Sequence, residues 1–192
     1  MKNAIILIGA QGSGKGTLSE FVKLFGFYHA EVGRILRGDP NVKEYTDNGK
    51  LCPDHIVRGV FLKEVNVSSN GNNIIVDGVP RNRSQVNMTC EVLKYHKRLF
   101  VFLECDFINC VDRITDRAKK AVDQGLVRAD DINSQAIHNR LNQFHIERDG
   151  IMEELERRKE DVVKIDANGT PEIVRLQFIT EVCPLLFSRV CI

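Results

Sequence analysis

The chain has 192 residues, and its 27 Lys and Arg against 26 Asp and Glu leave a formal net charge of +1. This balance provides no overall field for nucleic acid or an anionic membrane. The sequence has no apolar run of bilayer length, and its first residues are expected to enter a strand rather than form a signal peptide, so no nucleic-acid or membrane partner is expected. The six cysteines are scattered without a Cys-x-x-Cys pair, which favours free thiols in a reducing, cytoplasmic compartment over a metal site or a disulfide.

Strands and helices alternate among the predicted elements. The apolar run at 4–8 predicts a first strand, and the helical spacing of apolar residues after Thr17 predicts the helix that follows. Four further strands are predicted, at residues 28–32, 74–78, 99–105 and 162–167. Helices are predicted at residues 53–67, 82–96, 132–159 and from Thr170 onward. Residues 38–50 are predicted to form a polar loop with at most a short helix, and a polar helix-and-loop region is predicted between the fourth strand and about Ala129. This alternation predicts the α/β class with a doubly wound five-stranded parallel sheet.

The stretch GAQGSGKGT at residues 9–17 lies between the first strand and its helix, which is the usual setting of a phosphate-binding loop. Gly9, Gly14 and Lys15 fit the Walker pattern, but Gly16 takes the position of the hydroxyl residue and Thr17 follows it. Glycines let backbone N–H groups turn inward around a phosphate, and a lysine at this place reaches the outer phosphates. The stretch therefore predicts phosphate binding in preference to a glycine-rich turn without a ligand.

The Gly-Lys-Gly-Thr variant of this loop resembles that of adenylate kinases and related nucleoside-monophosphate (NMP) kinases. The stretch IIVDGVPRNRSQ at 74–85 is similar to the family's strand that ends in Asp-Gly-Phe-Pro-Arg and is followed by a base-reading Gln. Further similar segments follow in the family's order: VGRILR at 32–37, GKLCPD at 49–54, VDRITDRA at 111–118, VRADD at 127–131 and DANGTPE at 166–172. The resemblance covers essentially the whole chain.

The resemblance implies a P-loop NTPase fold in which residues 1–192 form a single kinase domain. It also implies an NMP-binding insertion at 38–67 and a short lid at 118–129. The implied activity is phosphoryl transfer from Mg·ATP to AMP, giving two ADP, by a monomer whose partners are small-molecule nucleotides. The alternatives are a UMP/CMP-type or other NMP kinase, a nucleotide-binding P-loop protein without efficient transfer, and an NTPase that uses water as acceptor.

The resemblance further implies roles for individual residues. ATP is expected at Gly12, Ser13, Gly14, Lys15, Gly16, Thr17, Arg113, Arg117 and Gly169. The acceptor nucleotide is expected at Val32, Gly33, Arg37, Lys50, Leu51, Cys52, Gly78, Arg81, Gln85, Arg128 and Arg140. The residues expected to act on the transferring group are Lys15, Arg81, Arg113, Arg128 and Arg140. Mg²⁺, the expected cofactor, is placed through water near Thr17 and Asp77. Asp130 and Asp131 are expected to pair with Arg128 at the lid, or to form an acidic pair at a helix N-terminus.

Several positions depart from the family's pattern, and most of them lie on the acceptor side. Val32 stands where adenylate kinases carry a Thr, and Arg34 replaces a family Asp. The segment 38–48 is shorter than in most relatives. In the phosphate loop, Gln11 stands where the family commonly has Pro. ATP binding and kinase chemistry are therefore more strongly implied than AMP as the acceptor.

Overall fold

The computed structural model describes residues 2–68, 72–123 and 129–187. Within this part of the chain, five strands form one sheet: β1 Lys2–Ile8, β2 Tyr28–Glu31, β3 Ile74–Asp77, β4 His96–Glu104 and β5 Val162–Asp166. The strands run parallel in the order β2-β3-β1-β4-β5. The expected α/β class with a five-stranded parallel sheet is confirmed.

Helices connect these strands and cover both faces of the sheet, because parallel strands need crossover connections. In chain order they are α1 Lys15–Lys23, α2 Val32–Gly38, α3 Lys43–Thr46, α4 Asp54–Ser68, α5 Arg83–Val92, α6 Phe107–Asp123, α7 Ala129–Ile132, α8 Ser134–Arg157 and α9 Pro171–Phe187. A short 3₁₀ turn at Pro40–Val42 precedes α3. Across the described ranges, none of the helices combines the length and the apolarity needed to cross a membrane.

The structure differs most from the prediction in two regions. The helix α2 starts directly after β2, at Val32, where the sequence pattern predicts no helix. The strand β4 starts at His96, before the predicted position 99, and α5 ends correspondingly early. His96 lies opposite Lys2 in the ladder between β4 and β1, so backbone pairing extends the strand through a polar stretch. Pairing of this kind leaves no signal in a hydrophobic pattern.

The two faces of the sheet carry separate cores. On β1, Ile6 and Ile8 belong to the core beneath α4 and α5, whereas Ile5 and Leu7 belong to the core beneath α1 and α9. All four side chains are at most 1% exposed. A strand that is buried on both faces has to be apolar at every position, which explains the unbroken apolar run of β1.

The carboxyl ends of the five strands meet at one edge of the sheet. The phosphate loop follows β1 at this edge, α2 follows β2, and Gly78 follows β3. Ligands of open parallel α/β sheets bind outside the carboxyl ends of the strands. The topology therefore brings the phosphate loop and the segments expected to hold the acceptor to the same edge.

Candidate active site

The phosphate loop is shaped by its glycines. Gly12 and Gly14 have φ angles of 86° and 95°, which residues with side chains rarely adopt. A Cβ on Gly12 would lie 2.4 Å from the carbonyl oxygen of Cys110, so the loop is pressed against α6. Gly14 is the N-cap of α1, and it has no side chain that could bond the first N–H groups of that helix. Those N–H groups form an anion-binding end of a helix.

Lys15, the first residue of α1, folds back over the loop. Its Nζ donates hydrogen bonds to the carbonyl oxygens of Gly9 and Ala10, each at 2.7 Å. Burial lowers the pKa of Lys15 from 10.5 to about 8, against the opposite effect of the Asp77 carboxylate, and the charge of Arg81 lowers it further. The ammonium is therefore held at the phosphate loop, within electrostatic range of Asp77 and Arg81.

A cavity of about 910 Å³ lies at this edge of the sheet, between the phosphate loop, α2, α6 and α8. Eight of its lining side chains are cationic: Lys15, Arg34, Arg37, Arg81, Arg113, Arg117, Lys120 and Arg140. Five are carboxylates: Glu20, Glu31, Asp77, Asp116 and Asp131. The cavity thus has a local excess of positive charge that the near-neutral chain as a whole lacks, and this excess suits a ligand with several phosphates.

Arg37 and Arg81 form an arginine pair that converges on Gly33. A Cβ on Gly33 would lie 2.9 Å from Arg81 Nη2 and 3.4 Å from Arg37 Nη1. Gly78 packs equally closely, since a Cβ there would lie 2.6 Å from the backbone nitrogen of Gly33. Arg81 Nε donates to the carbonyl oxygen of Gly78 at 2.8 Å, which directs its guanidinium. Two neighbouring guanidinium groups have the chemistry to bind a phosphate, and the two glycines make room for them.

Arg113 of α6 binds the loop that follows β5. Its Nη1 donates to the carbonyl oxygen of Ala167 at 2.7 Å, and its Nη2 donates to those of Asn168 at 3.0 Å and Gly169 at 2.8 Å. Nη1 also lies 3.6 Å from the sulfur of Cys105. A guanidinium has four N–H groups on its two Nη atoms, and these contacts engage all of them. Arg113 therefore orders this loop.

A smaller pocket of about 90 Å³ opens beside the same loop, lined by Ser13, Gly14, Thr17, Leu18, Arg113, Gly169, Pro171, Val174 and Arg175. Its apolar wall and its contact with the phosphate loop suit the base of a nucleotide whose phosphates the loop holds. Every residue expected at the donor site lines either this pocket or the large cavity.

The residues expected at the acceptor site separate into two groups. Those that line the cavity are Gly33, Arg37, Leu51, Gly78, Arg81 and Arg140. The side chains of Val32 and Cys52 are instead buried in the core, at 0% and 9% exposure, and Lys50 is exposed outside the cavity lining. Arg128 lies outside the described residues.

Gln85, expected to read the base, is also turned into the protein. Its side chain is buried, and its Oε1 accepts a hydrogen bond from the backbone N–H of Arg81 at 2.8 Å. Its Nε2 donates to Asp54 at 2.8 Å. In this conformation Gln85 fixes the start of the segment that carries Arg81, and its amide does not line the cavity.

Comparison with known sequences identifies the relatives of this chain. The sequence model of the family described as adenylate kinase matches residues 7–160. The chain belongs to the adenylate kinase family. The adenylate kinase of Phocaeicola vulgatus is 31% identical over 151 residues, covering 73% of this chain and 78% of that protein. The UMP-CMP kinase 1 of Oryza sativa subsp. japonica is 28% identical over 173 residues, covering 85% of this chain and 67% of that protein. The expected family and enzyme class, a phosphotransferase, are confirmed.

One departure from the family's pattern is balanced within the site. Arg34, which replaces a family Asp, has its Nε 2.6 Å from Glu31 Oε2. Glu31 lies opposite Asp77 in the ladder between β2 and β3, and both carboxylates line the cavity. Glu31 was not among the expected site residues, although an acid at the carboxyl end of a buried parallel strand is a signal that could have found it.

Asp131 is engaged by α6 and by the phosphate loop. Arg117 Nε donates to Asp131 Oδ2 and Arg117 Nη2 donates to Asp131 Oδ1, both at 2.7 Å. Gln11 Nε2 donates to the same Oδ1 at 2.8 Å. The expectation for Asp131 named Arg128, which lies outside the described residues, whereas Arg117 is the cation that the structure brings to it. Gln11 stood out in the sequence only as a departure from the family's Pro.

The donor set near Thr17 fits Mg²⁺ held mainly by water. Thr17 and Asp77 line the same cavity, and Asp77 Oδ2 would lie 4.0 Å from a Cβ on Gly16. The described part of the chain holds no group of three or more His, Cys, Asp or Glu side chains that could enclose a metal. Mg²⁺ keeps several waters and takes few direct protein ligands, so one carboxylate and one hydroxyl beside a phosphate site are sufficient.

Proposed function

We propose that this protein is an adenylate kinase, which transfers the terminal phosphoryl group of Mg·ATP to AMP and gives two ADP. The observation that supports this most strongly is that one cavity contains two separate groups suited to bind phosphate: the phosphate loop with Lys15, and the arginine pair at Gly33. Lys15 and Arg81, one from each site, are close enough for the charge of Arg81 to lower the pKa of Lys15. A hydrolase that uses water as acceptor needs only the first of these sites.

The transfer needs positioning and charge neutralisation more than it needs proton transfer. A phosphate oxygen of AMP, already an anion, forms a bond to the γ-phosphorus of ATP. The bond between that phosphorus and the bridging oxygen breaks, and the electron pair stays with the departing ADP. The loop N–H groups and Lys15 hold the donor phosphates, and Arg37 and Arg81 hold the acceptor phosphate. Arg140 and Arg128 are proposed to act on the transferring group.

The residues around Thr17 and Asp77 would hold Mg²⁺ through its waters, and the ion would neutralise charge on the donor phosphates. Lys15 complements this by placing a fixed positive charge at the loop itself, 2.7 Å from two backbone carbonyl oxygens that orient it. A fixed charge of this kind requires no reorganisation during the reaction.

Residues 38–67 are proposed as the acceptor-binding insertion and 118–129 as the lid. The insertion contacts α8 through Arg140 Nη2, which donates to the carbonyl oxygen of Thr46 at 2.7 Å. Asn139 Nδ2 donates to the carbonyl oxygen of Asn48 at 3.0 Å. A change in the position of the insertion would therefore displace the side chain of Arg140, which lines the cavity. Closure of both segments would exclude water from the transferring group.

A monomer in the cytoplasm is the proposed working form. The cysteines in the described residues, Cys52, Cys90, Cys105, Cys110 and Cys183, are free thiols. Burial raises the pKa of Cys90 to about 11 and that of Cys110 to about 12, so these two thiols stay protonated and unreactive near neutral pH. Inert buried thiols are compatible with a reducing compartment.

An acceptor panel tests the proposal. Purified protein and Mg·ATP are incubated with AMP, CMP, UMP, GMP or dTMP, and the diphosphates are measured by chromatography, with Lys15→Ala as the inactive control. We expect AMP to react fastest and ADP alone to be converted to ATP and AMP. A pyrimidine monophosphate reacting fastest would replace AMP as the acceptor and keep the kinase reaction. No product from any acceptor, alongside measured ATP binding, would overturn the transferase proposal.

A further inference from the structure

Gln11, Asp131 and Arg117 form a continuous chain of hydrogen bonds, here called the Gln11 bridge, that joins the phosphate loop to α7 and α6. Asp131 receives one hydrogen bond from Gln11 and two from Arg117, at 2.7 to 2.8 Å. Its side chain is only 2% exposed, whereas that of Arg117 is 39% exposed. A carboxylate that is buried this deeply needs such partners, because its desolvation is costly without them. Asp131 is therefore the fixed centre of the bridge.

Within the described part of the chain, one edge of the Arg117 guanidinium remains available to a ligand while another edge is bound to Asp131. A guanidinium has five N–H groups, and Asp131 takes one at Nε and one at Nη2. This is one edge of the planar group, and the edge formed by Nη1 and Nη2 can still bind two phosphate oxygens side by side. Arg117 lines the cavity and lowers the pKa of Lys15 by its charge, so it lies within electrostatic range of the phosphate loop.

Gln11 contributes its N–H side to the bridge. Its Nε2 is bonded to Asp131, while its Oε1 is buried and has no hydrogen-bond partner within the described ranges. An unsatisfied buried acceptor destabilises a fold, so a contribution to stability does not explain this placement of the Gln11 amide. Turning the amide over would place Oε1 against the carboxylate, which is repulsive. Proline, which the family commonly has at this position, offers no side-chain donor.

We propose that Gln11 is a positioning residue for the donor nucleotide, which holds Asp131 and through it directs the guanidinium of Arg117 at the phosphates bound in the loop. The inference rests on the proposed function in one respect, namely that Arg117 faces the donor phosphates. It goes beyond that function because it assigns the orientation of the Arg117 guanidinium on α6 to Gln11, a side chain of the phosphate loop.

Ligand binding without any acceptor tests the proposal independently of phosphoryl transfer. The dissociation constants of Mg·ATP and of inorganic tripolyphosphate are measured by calorimetry for the wild type and Gln11→Ala. We expect both to rise by about fivefold to tenfold, which lies within the net range of a single ordinary hydrogen bond. The matched control is Gln135→Ala, since Gln135 lies outside the cavity lining and its amide donates to Asn139 on its own helix. A Gln11→Ala variant that binds both ligands as tightly as the wild type overturns the proposal.

Two further variants separate positioning from packing. Gln11→Glu keeps the shape of the side chain but presents an acceptor to Asp131, and we expect it to bind at least as weakly as Gln11→Ala. Wild-type binding by Gln11→Glu would show that the amide N–H is not the acting group. In an Arg117→Ala background, folded by circular dichroism, Gln11→Ala should add no further loss. A full additional loss there would mean that Gln11 acts directly rather than through Arg117.

Kinetics give a third readout. Because Gln11 is proposed to act on the bound donor, Gln11→Ala should raise the KM for ATP by the same factor as the dissociation constant. The KM for the monophosphate and kcat should stay close to the wild-type values. An equal rise in both KM values, or a fall in kcat alone, would indicate a general disturbance of the loop.

Discussion

The proposed donor and acceptor halves of the cavity were both predicted from sequence motifs. They differ in how far those motifs determine where the side chains lie. In the donor half, every expected residue lines the cavity or the pocket beside it. In the acceptor half, the arginine pair is in place, but Val32, Cys52 and Gln85 are turned into the protein. The placement of the groups expected to hold phosphates thus follows from the motif, whereas the placement of the groups expected to read the base does not.

The physical reason lies in the groups that each task uses. A phosphate is held by backbone N–H groups and by long cationic side chains, and both are fixed by glycine positions and by the end of a strand. A base is read by short side chains whose direction depends on the packing of a whole helix. Gln85 illustrates this, since its amide is already hydrogen-bonded to Asp54 and to the backbone N–H of Arg81 and is not directed at the cavity.

The largest expected effect belongs to the donor half. Lys15→Ala removes the buried ammonium at the loop, and we expect kcat to fall by about 10²-fold to 10³-fold, the loss typical of removing one preorganised charge contact. Lys15→Arg keeps the charge and should retain more activity. Initial rates with Mg·ATP and AMP measure this, with circular dichroism as the control for folding. A folded Lys15→Ala variant at the wild-type rate would remove Lys15 from the mechanism.

The second effect tests the acceptor half. Gly33→Ala places a Cβ 2.9 Å from Arg81 Nη2, so the guanidinium of Arg81 has to move, and 3.4 Å from Arg37 Nη1, which is about van der Waals contact. We expect kcat/KM for the monophosphate to fall about tenfold or more, since small displacements of positioning groups are costly in rate. The dissociation constant of ATP should not change.

The control for this variant is Gly59→Ala on α4. Gly59 is exposed, and a Cβ there has no heavy atom within 4 Å in the described structure. We expect no kinetic change and a gain in stability of about 0.5–1 kcal/mol, because alanine restricts the unfolded chain and favours the helix. Equal kinetic losses in both variants would show that the arginine pair is not the cause.

The fold could be predicted largely from the sequence, because a parallel sheet leaves a strong local pattern. The apolar run of β1 and the glycine stretch after it predicted the central strand and the phosphate loop correctly. The start of β4 could not be predicted, since it depends on pairing with β1. The helix α2 was missed because it follows β2 without a turn, and its residues were assigned to a binding motif alone.

The contacts of the site could be predicted only in part. Lys15 and Arg81 follow from motifs, but the partners of Arg117 and Arg34 come from other elements. Asp131 lies 14 positions from Arg117, beyond the reach of a helical repeat, and Gln11 lies 120 positions from Asp131. Contacts of that range are decided by how the helices dock, which a single sequence does not state.

The third effect is a pH dependence of the donor half. Burial lowers the pKa of Lys15 to about 8, and bound phosphates favour the charged ammonium, so ATP binding takes up a proton above that pH. The dissociation constant of ATP should be constant from pH 7 to 7.5 and then rise, by at most about tenfold per pH unit, while the phosphates of ATP stay ionised. Calorimetry between pH 7 and 9.5 measures this. Lys15→Arg should abolish the rise; its persistence would assign the titration to another group.

The smallest effect concerns the base, and it separates the two halves most sharply. Val32 is 0% exposed and packs in the core beneath α4 and α5, so a hydroxyl introduced by Val32→Thr has no access to the cavity. We expect an unfolding free energy lower by about 1–2 kcal/mol, from burial of a polar group, and a change in the relative rates with AMP and CMP of less than about twofold. Val67→Thr is the matched control, since Val67 is 59% exposed and its replacement should change neither quantity. Unchanged stability together with a clear shift towards AMP would place the hydroxyl at the base, and the acceptor half would then be determined by its motif as directly as the donor half.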